Sequence, residues 1–316
     1  MNDIIKNYPI MPKKRYIDPK NPVDKIKREY INQKTLVVMN TYIPESGSSE
    51  YKTRSYIDHE YKSYIHNRVE CLKFTLACYK HYNAGVNYDL IIVDNSSPIT
   101  QTVDVPIYVR ENTFYSFGAY KYAFEKFGKD YDYFVFHEFD WCPSKDNWLK
   151  DLIDYWNSDN QIGMIGNLIE EFDYNDNNTP DVIKRIIKKV NPNREFIYNL
   201  DSEYLFTDKE VLNKMVDTCG GWNIFPCSPE VEETPVINEL GLQQPMLEMG
   251  YKLACMNDEK HTMFYSLYNS GFPKHKWNYG LDKLAPFVPE QTRNFVPEMS
   301  EYFKWYKDKP SFIKWT

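Results

Sequence analysis

Thr35-Leu36-Val37-Val38-Met39-Asn40-Thr41-Tyr42-Ile43 is a nearly continuous apolar run that ends in polar residues. A half-buried strand alternates between apolar and polar positions. A run this unbroken reads as a strand covered on both faces, the habit of parallel sheets with crossover helices on either side. Three further segments repeat the pattern. Tyr88-Asp89-Leu90-Ile91-Ile92-Val93 closes on Asp94-Asn95-Ser96-Ser97-Pro98, Pro106-Ile107-Tyr108-Val109 closes on Arg110-Glu111-Asn112, and Tyr131-Asp132-Tyr133-Phe134-Val135-Phe136 closes on His137-Glu138. Between them, Val69, Leu72, Leu76 and Tyr79 recur at helical spacing within about Asn67 to His81, and a second helix is expected from about Tyr115 to Phe127.

Strands that alternate with helices predict βαβ units, right-handed crossovers and a Rossmann-like, mostly parallel α/β sheet flanked by helices. Ligands bind such sheets beyond the carboxyl ends of the strands. Function is therefore expected at Thr41, Asp94, Asn112 and Glu138. Farther on, helices are expected over Asn147 to Trp156, Asp181 to Val190, Lys209 to Val216 and Thr234 to Met249, with Pro245 expected to kink the last. Strands are expected over Ile162 to Asn167, Tyr204 to Thr207 and Lys252 to Met256.

This pattern divides the chain into an N-terminal arm (1–34), a catalytic-type α/β domain (35–270) and a C-terminal aromatic and basic extension (271–316). The polar stretch from Pro44 to about His66 is long enough to serve as a lid. The extension carries Tyr302, Phe303, Trp305, Tyr306, Phe312 and Trp315 among several lysines. That composition suits either peripheral contact with a membrane surface or packing against the domain.

Composition narrows the function classes. The 316 residues include 38 Lys and Arg against 45 Asp and Glu, a net charge of −7, which argues against a nucleic-acid partner. No run of ~20 apolar residues is present for a membrane span, and the polar start offers no secretion signal. The six cysteines form no C-x-x-C pair, so reduced thiols and a cytoplasmic location are expected.

The most informative segment is Phe136-His137-Glu138-Phe139-Asp140-Trp141-Cys142-Pro143, which places two carboxylates two residues apart just past a buried strand. At a strand's period of two they project to the same side and can reach one cation. Hard divalent ions such as Mn²⁺ or Mg²⁺ take oxygen ligands and often complete their shell with substrate phosphates. A zinc-type H-E-x-x-H site is excluded because the fifth residue is Trp141.

In order and spacing, these segments resemble the GT-A glycosyltransferases, especially the family 2 type. There the second strand ends in an Asp-x-x-Ser segment that contacts the nucleotide, here Asp94-Asn95-Ser96-Ser97. The third strand leads to an Asn and a Gly-Ala-x-Asn-x-Gly helix, here Asn112 and Gly118-Ala119-Tyr120-Lys121-Tyr122-Ala123. The family's Asp-x-Asp becomes Glu138-Phe139-Asp140, with Pro143 downstream. The likeness runs from about Thr35 to His261 and departs twice: Glu138 replaces the first Asp, and Lys121 replaces a neutral amide.

The resemblance implies a metal-dependent, inverting glycosyltransferase that moves a sugar from a UDP-like nucleotide-diphosphate donor to a hydroxyl on a glycan, lipid-linked or protein acceptor. Glu138 and Asp140 would hold the cation, with His261 as a third ligand; Asn40, Thr41, Tyr42, Asp94, Ser97, Asn112, Gly118 and Lys121 would bind the nucleotide. The family's base lies about eleven residues before a Gly-Tyr-Lys-like segment, which counts back from Gly250-Tyr251-Lys252 to Glu239, with Glu232 and Glu233 upstream as the rivals. Trp222 is a candidate for stacking on an acceptor sugar. Two alternatives stay open: a sugar nucleotidyltransferase, although Thr41-Tyr42-Ile43-Pro44-Glu45 lacks the Gly-rich basic loop such enzymes carry, and a non-catalytic glycan-binding or scaffold protein.

Overall fold

The computed structural model of the chain describes residues 16–17, 22, 33–43, 72, 75–98, 101–143, 145–166, 169–175, 184–185, 196–200, 204–224, 233–255, 264–266 and 314–315. In chain order the strands are β1 (Tyr16–Ile17), β2 (Thr35–Thr41), β3 (Tyr88–Asp94), β4 (Gln101–Thr102), β5 (Ile107–Val109), β6 (Tyr133–Glu138) and β7 (Trp141–Pro143). They continue with β8 (Ile162–Gly166), β9 (Ile169–Asp173), β10 (Phe196–Leu200), β11 (Tyr204–Asp208), β12 (Lys252–Cys255), β13 (Phe264–Ser266) and β14 (Lys314–Trp315). The helices are α1 (75–81), α2 (Tyr115–Phe127), α3 (Trp148–Ser158), α4 (Lys209–Cys219) and α5 (Glu233–Glu248).

The main sheet has the order β1-β12-β8-β11-β6-β2-β3-β5. β2 pairs in parallel with both β3 and β6, β3 with β5, and β12 with β8. β11 runs antiparallel to β6 and β8, and β1 antiparallel to β12. The sheet is thus mostly parallel, as the apolar runs predict. All seven residues of β2 are buried, which is why that segment shows no alternation.

Helix α2 lies along β6 in matched rungs. Tyr120 stacks on Phe136 with ring centroids 4.8 Å apart, Phe124 meets Phe134 edge-on at 5.2 Å, and Ser116 reaches Glu138. Four helical residues advance ~6 Å and two strand residues ~6.6 Å, so a step of four on the helix keeps pace with a step of two on the strand. On the strip around α3, Trp148 packs edge-on against Tyr79 and Tyr88, and Trp156 against Phe206.

At the amino edge, buried Asp132 accepts from Lys209 Nζ at 2.8 Å and from the Gln33 backbone at 2.7 Å, tying β2, β6 and the start of α4 together. α4 begins on an Asp208 cap that accepts from Val211 N at 2.8 Å and ends on Gly220 at φ 68°. That left-handed terminus suits glycine, which has no Cβ to clash.

α5 continues through Pro245 rather than ending there. Proline removes the N–H that would bond the carbonyl four residues earlier. That carbonyl, Gly241 O, instead accepts from Asn223 Nδ2 at 2.8 Å. On the same helix, buried Gln243 grips Leu200 by both backbone groups, with N···O distances of 2.6 and 2.5 Å, and so fastens the β9–β10 hairpin to α5.

The stretch from Pro44 to His66, the expected basic helix apart from 184–185, and most of the arm and extension lie outside the described residues. What is described of the arm and extension joins the domain: Tyr16–Ile17 pairs with Leu253–Ala254, and Lys314–Trp315 with Gln101–Thr102. Among the described residues, no helix is long and apolar enough to cross a membrane.

Candidate functional site

The chain places β3 and β5 on one side of β2 and then crosses to lay β6 on the other. That reversal makes the carboxyl edge between β2 and β6 the switch point of the sheet, where crossovers diverge and leave a crevice. Register brings the predicted residues together there: Asn40 is paired with Glu138, and Thr41 with Asp94.

The β3 end is a tightly bonded turn. Asp94 Oδ2 accepts from Thr41 Oγ1 at 2.7 Å and Ser97 Oγ at 2.6 Å, while Oδ1 accepts from Ser97 N at 2.7 Å. Ser97 Oγ also receives Ile43 N at 2.9 Å, so one hydroxyl links the ends of β2 and β3. Asn95, 1% exposed, donates to Asn40 Oδ1 at 2.7 Å and to Tyr115 O at 3.1 Å. Asn95 N also donates to Thr41 O at 2.9 Å, so Asn40, Thr41, Asp94 and Ser97 belong to one hydrogen-bonded group, with Tyr42 half-buried beside it.

Arg110 joins this group and was missed by the motif reading. Its guanidinium donates to Asn95 Oδ1 and, at 2.9 Å, to Thr113 Oγ1. It lies across Gly118, where an added Cβ would come within 2.5 Å of the guanidinium. A larger residue at 118 would push the end of the Arg110 side chain aside, a relation the spacing did not reveal. The available signal was a cation at the very end of a predicted strand. Asn112, two residues on, is half-buried, and its Oδ1 accepts no hydrogen bond among the described residues.

The acidic turn occupies the other wall. β6 ends at Glu138, and the chain turns over Phe139–Asp140 before β7 begins at Trp141. The expectation that an extended period of two aligns the carboxylates is corrected here, because Asp140 sits in the turn. Ser116 Oγ donates to Glu138 Oε1 at 2.5 Å, while Oε2 makes no hydrogen bond among the described residues. Glu138 is half-buried and Asp140 9% exposed.

The turn's backbone is held by buried side chains. Thr75 Oγ1 donates to Phe139 O at 2.7 Å, and Phe139 N donates to Asn40 O at 3.0 Å. His137 Nδ1 lies 2.8 Å from Glu138 O and its Nε2 lies 2.7 Å from the Tyr79 hydroxyl. A carbonyl only accepts, so Nδ1 carries the proton and Nε2 receives Tyr79 O–H. Burial lowers the His137 pKa to about 4 and pushes Tyr79 well above the usual phenol range, so both stay neutral.

For a cation, the chain supplies two carboxylates from one turn, with Glu138 Oε2 available. Oxygen donors of this kind fit a hard divalent ion whose remaining positions are filled by phosphate or water. Among the described residues no group of three or more His, Cys, Asp and Glu side chains converges for a metal. His261 lies outside the described residues.

Lys121 and Trp222 stand apart from this group. Lys121 pairs with Glu125 at 2.6 Å along its own helix. Trp222 packs edge-on against Phe124, two rungs below Ser116 and Glu138, at the level of Phe134. With ~3.3 Å per strand residue, that is some 13 Å from the rim, so the structure does not bring Trp222 there. α5 leads into the amino end of β12, which places the start of α5, with Glu233, toward the carboxyl side. Glu239 is half-buried in the first half of that helix, between buried Asn238 and Leu240; the Glu233 side chain lies outside the described residues.

No protein-family model and no curated protein matches the chain. A solved structure of a "putative nucleotide-diphospho-sugar transferase" from Desulfovibrio desulfuricans G20 aligns over 87% of this chain and 99% of that one, with 9% identity and a TM-score of 0.39. A likeness of that degree carries no argument about this chain.

Proposed function

We propose that this chain is a divalent-metal-dependent glycosyltransferase that uses a nucleotide-diphosphate sugar. The observation that carries the reading is the pairing of Asn40 with Glu138 across the switch point, with the Thr41–Asp94–Ser97 turn beside it. Amide, hydroxyl and carboxylate groups suited to a nucleoside thus border two carboxylates suited to a cation.

In this reading, Asn40, Thr41, Tyr42, Asp94 and Ser97 flank the base and ribose, and Asn112 offers its carbonyl oxygen to a donor hydroxyl. Glu138 and Asp140 would hold Mn²⁺ or Mg²⁺, which, when bound, neutralises charge that develops on the departing diphosphate. Arg110 holds Asn95, and through it Asn40, in place. For direct inversion, the acceptor oxygen bonds to the anomeric carbon as the bond to the diphosphate breaks. Glu239 takes the proton of the acceptor hydroxyl, and Glu233 is the rival base. The sugar is expected to pass through an oxocarbenium-like transition state, so positioning supplies much of the rate.

The test is release of nucleoside diphosphate from a panel of labelled UDP-, GDP- and other nucleotide sugars, with Mn²⁺ or with chelator. Cation-dependent release that Asp140→Asn abolishes supports the reading. Release from none of the donors, or release indifferent to chelator and to Asp140→Asn, overturns it.

A further inference from the structure

Helix α1 bonds twice, one helical turn apart, to the segment that carries the acidic turn: once to the turn itself and once to His137 at the end of β6. Thr75 Oγ1 donates to the Phe139 carbonyl at 2.7 Å, and the Tyr79 hydroxyl donates to His137 Nε2 at 2.7 Å. His137 passes the constraint on, because its Nδ1–H donates to the Glu138 carbonyl at 2.8 Å. Thr75 and His137 are 0% exposed and Tyr79 is 7% exposed, so water does not compete for these bonds. Trp148 packs edge-on against Tyr79 and fixes the ring that delivers the hydroxyl.

Phe139 and Asp140 lie between β6 and β7, and the Phe139 N–H is still bonded to Asn40 O of β2. Beyond that one strand bond, the turn's shape depends on side-chain bonds to its carbonyls. Thr75 supplies one from a helix distant in sequence, and His137, held by Tyr79 of the same helix, supplies the other; together they grip the two peptide groups that stand between the Glu138 and Asp140 side chains.

We propose that Thr75, Tyr79 and His137 are positioning residues for the acidic turn, setting where Glu138 and Asp140 present their oxygens to a divalent cation and the diphosphate it carries. The proposal rests on the function proposed above and names side chains that touch neither ligand. Ligand sites tolerate displacements of only ~0.5 Å, and outer partners of metal ligands change affinity ~10–100-fold when removed. With the packing left in place, deleting the Thr75 hydroxyl releases the Phe139 carbonyl, and deleting the Tyr79 hydroxyl frees the His137 ring that holds the Glu138 carbonyl.

Mn²⁺ binding in the presence of UDP, measured by titration calorimetry, tests this alongside the melting temperature of each unliganded variant. Thr75→Val and Tyr79→Phe keep shape and lose one donor; each is expected to weaken Mn²⁺ binding about tenfold or more. Thr75→Ser restores the hydroxyl and is expected to bind within about twofold of the parent, since the donor returns. His137→Asn, whose amide can replace the Nδ1–H donor, is expected to bind more tightly than His137→Leu. Should His137→Leu fail to fold, the Thr75→Val and Thr75→Ser pair decides alone. Lower melting temperatures with unchanged Mn²⁺ affinity would make these residues merely structural and overturn the proposal. A parent protein that binds no Mn²⁺ with UDP, GDP or any other nucleoside diphosphate would overturn the functional reading and this proposal together.

Discussion

Ser116 donates its hydroxyl to Glu138 Oε1 at 2.5 Å, joining the first turn of α2 to the last residue of β6. The bond is the top rung of the series continued by Tyr120 with Phe136 and Phe124 with Phe134. The aromatic packing below therefore decides where the carboxylate above is held. Ser116→Ala is expected to cost about 1 kcal/mol in stability, a typical net hydrogen bond, and to weaken Mn²⁺-dependent nucleotide binding measured by titration calorimetry. Unaltered binding would show that Glu138 needs no such anchor.

Gly118→Ala would push a Cβ against the Arg110 guanidinium and loosen its bond to Asn95. The guanidinium can swing aside, so the expected cost is that of its weakened hydrogen bonds, about 1 kcal/mol. In chemical denaturation, Gly118→Ala combined with Arg110→Ala is expected to cost less than the sum of the two, because the clash disappears with the side chain. Strict additivity would contradict the close approach.

Lys209→Met removes the ammonium from Asp132 and leaves a carboxylate that is 2% exposed with one partner fewer. Breaking a buried pair on one side costs ~3–5 kcal/mol. Adding Asp132→Asn should recover part of that loss in urea denaturation. No recovery would mean the charge itself is not the penalty.

Asn223→Ala is expected to destabilise by ~1–3 kcal/mol by stranding the Gly241 carbonyl that Pro245 cannot bond. In a Pro245→Ala background a backbone N–H returns at position 245, and the same substitution should cost distinctly less. An equal cost in both backgrounds would place the role of Asn223 elsewhere.

The parallel core was legible because burial on both faces leaves an unbroken apolar signature, as in Thr35 to Thr41, and the expected bounds of α2 match those observed. Strand direction leaves no such mark. Tyr204–Asp208 is buried throughout, and only its pairing with β6 and β8 reveals that it runs antiparallel. Likewise, Asn40, Asp94 and Glu138 could be found because each closes an apolar run. Thr75, Tyr79 and His137 could not, because their shared task depends on contacts across 58 and 64 residues of chain. The turn at Phe139–Asp140 was misread for a local reason: an E-x-D spacing looks the same in an extended strand and in a turn. Trp222 was placed at the site by residue type, whereas its contact with Phe124 sets it two rungs lower.

The central claim is that the rim between β2 and β6 holds a cation against a nucleotide's diphosphate. Paramagnetic resonance of Mn²⁺ titrated with the protein, with and without UDP, tests it most directly. The account predicts that UDP and protein together quench the free-Mn²⁺ signal, and that Asp140→Asn with Glu138→Gln abolishes the quenching while the fold survives. Quenching retained in that folded double variant, or none in the parent with UDP, GDP or any other nucleoside diphosphate, would contradict it.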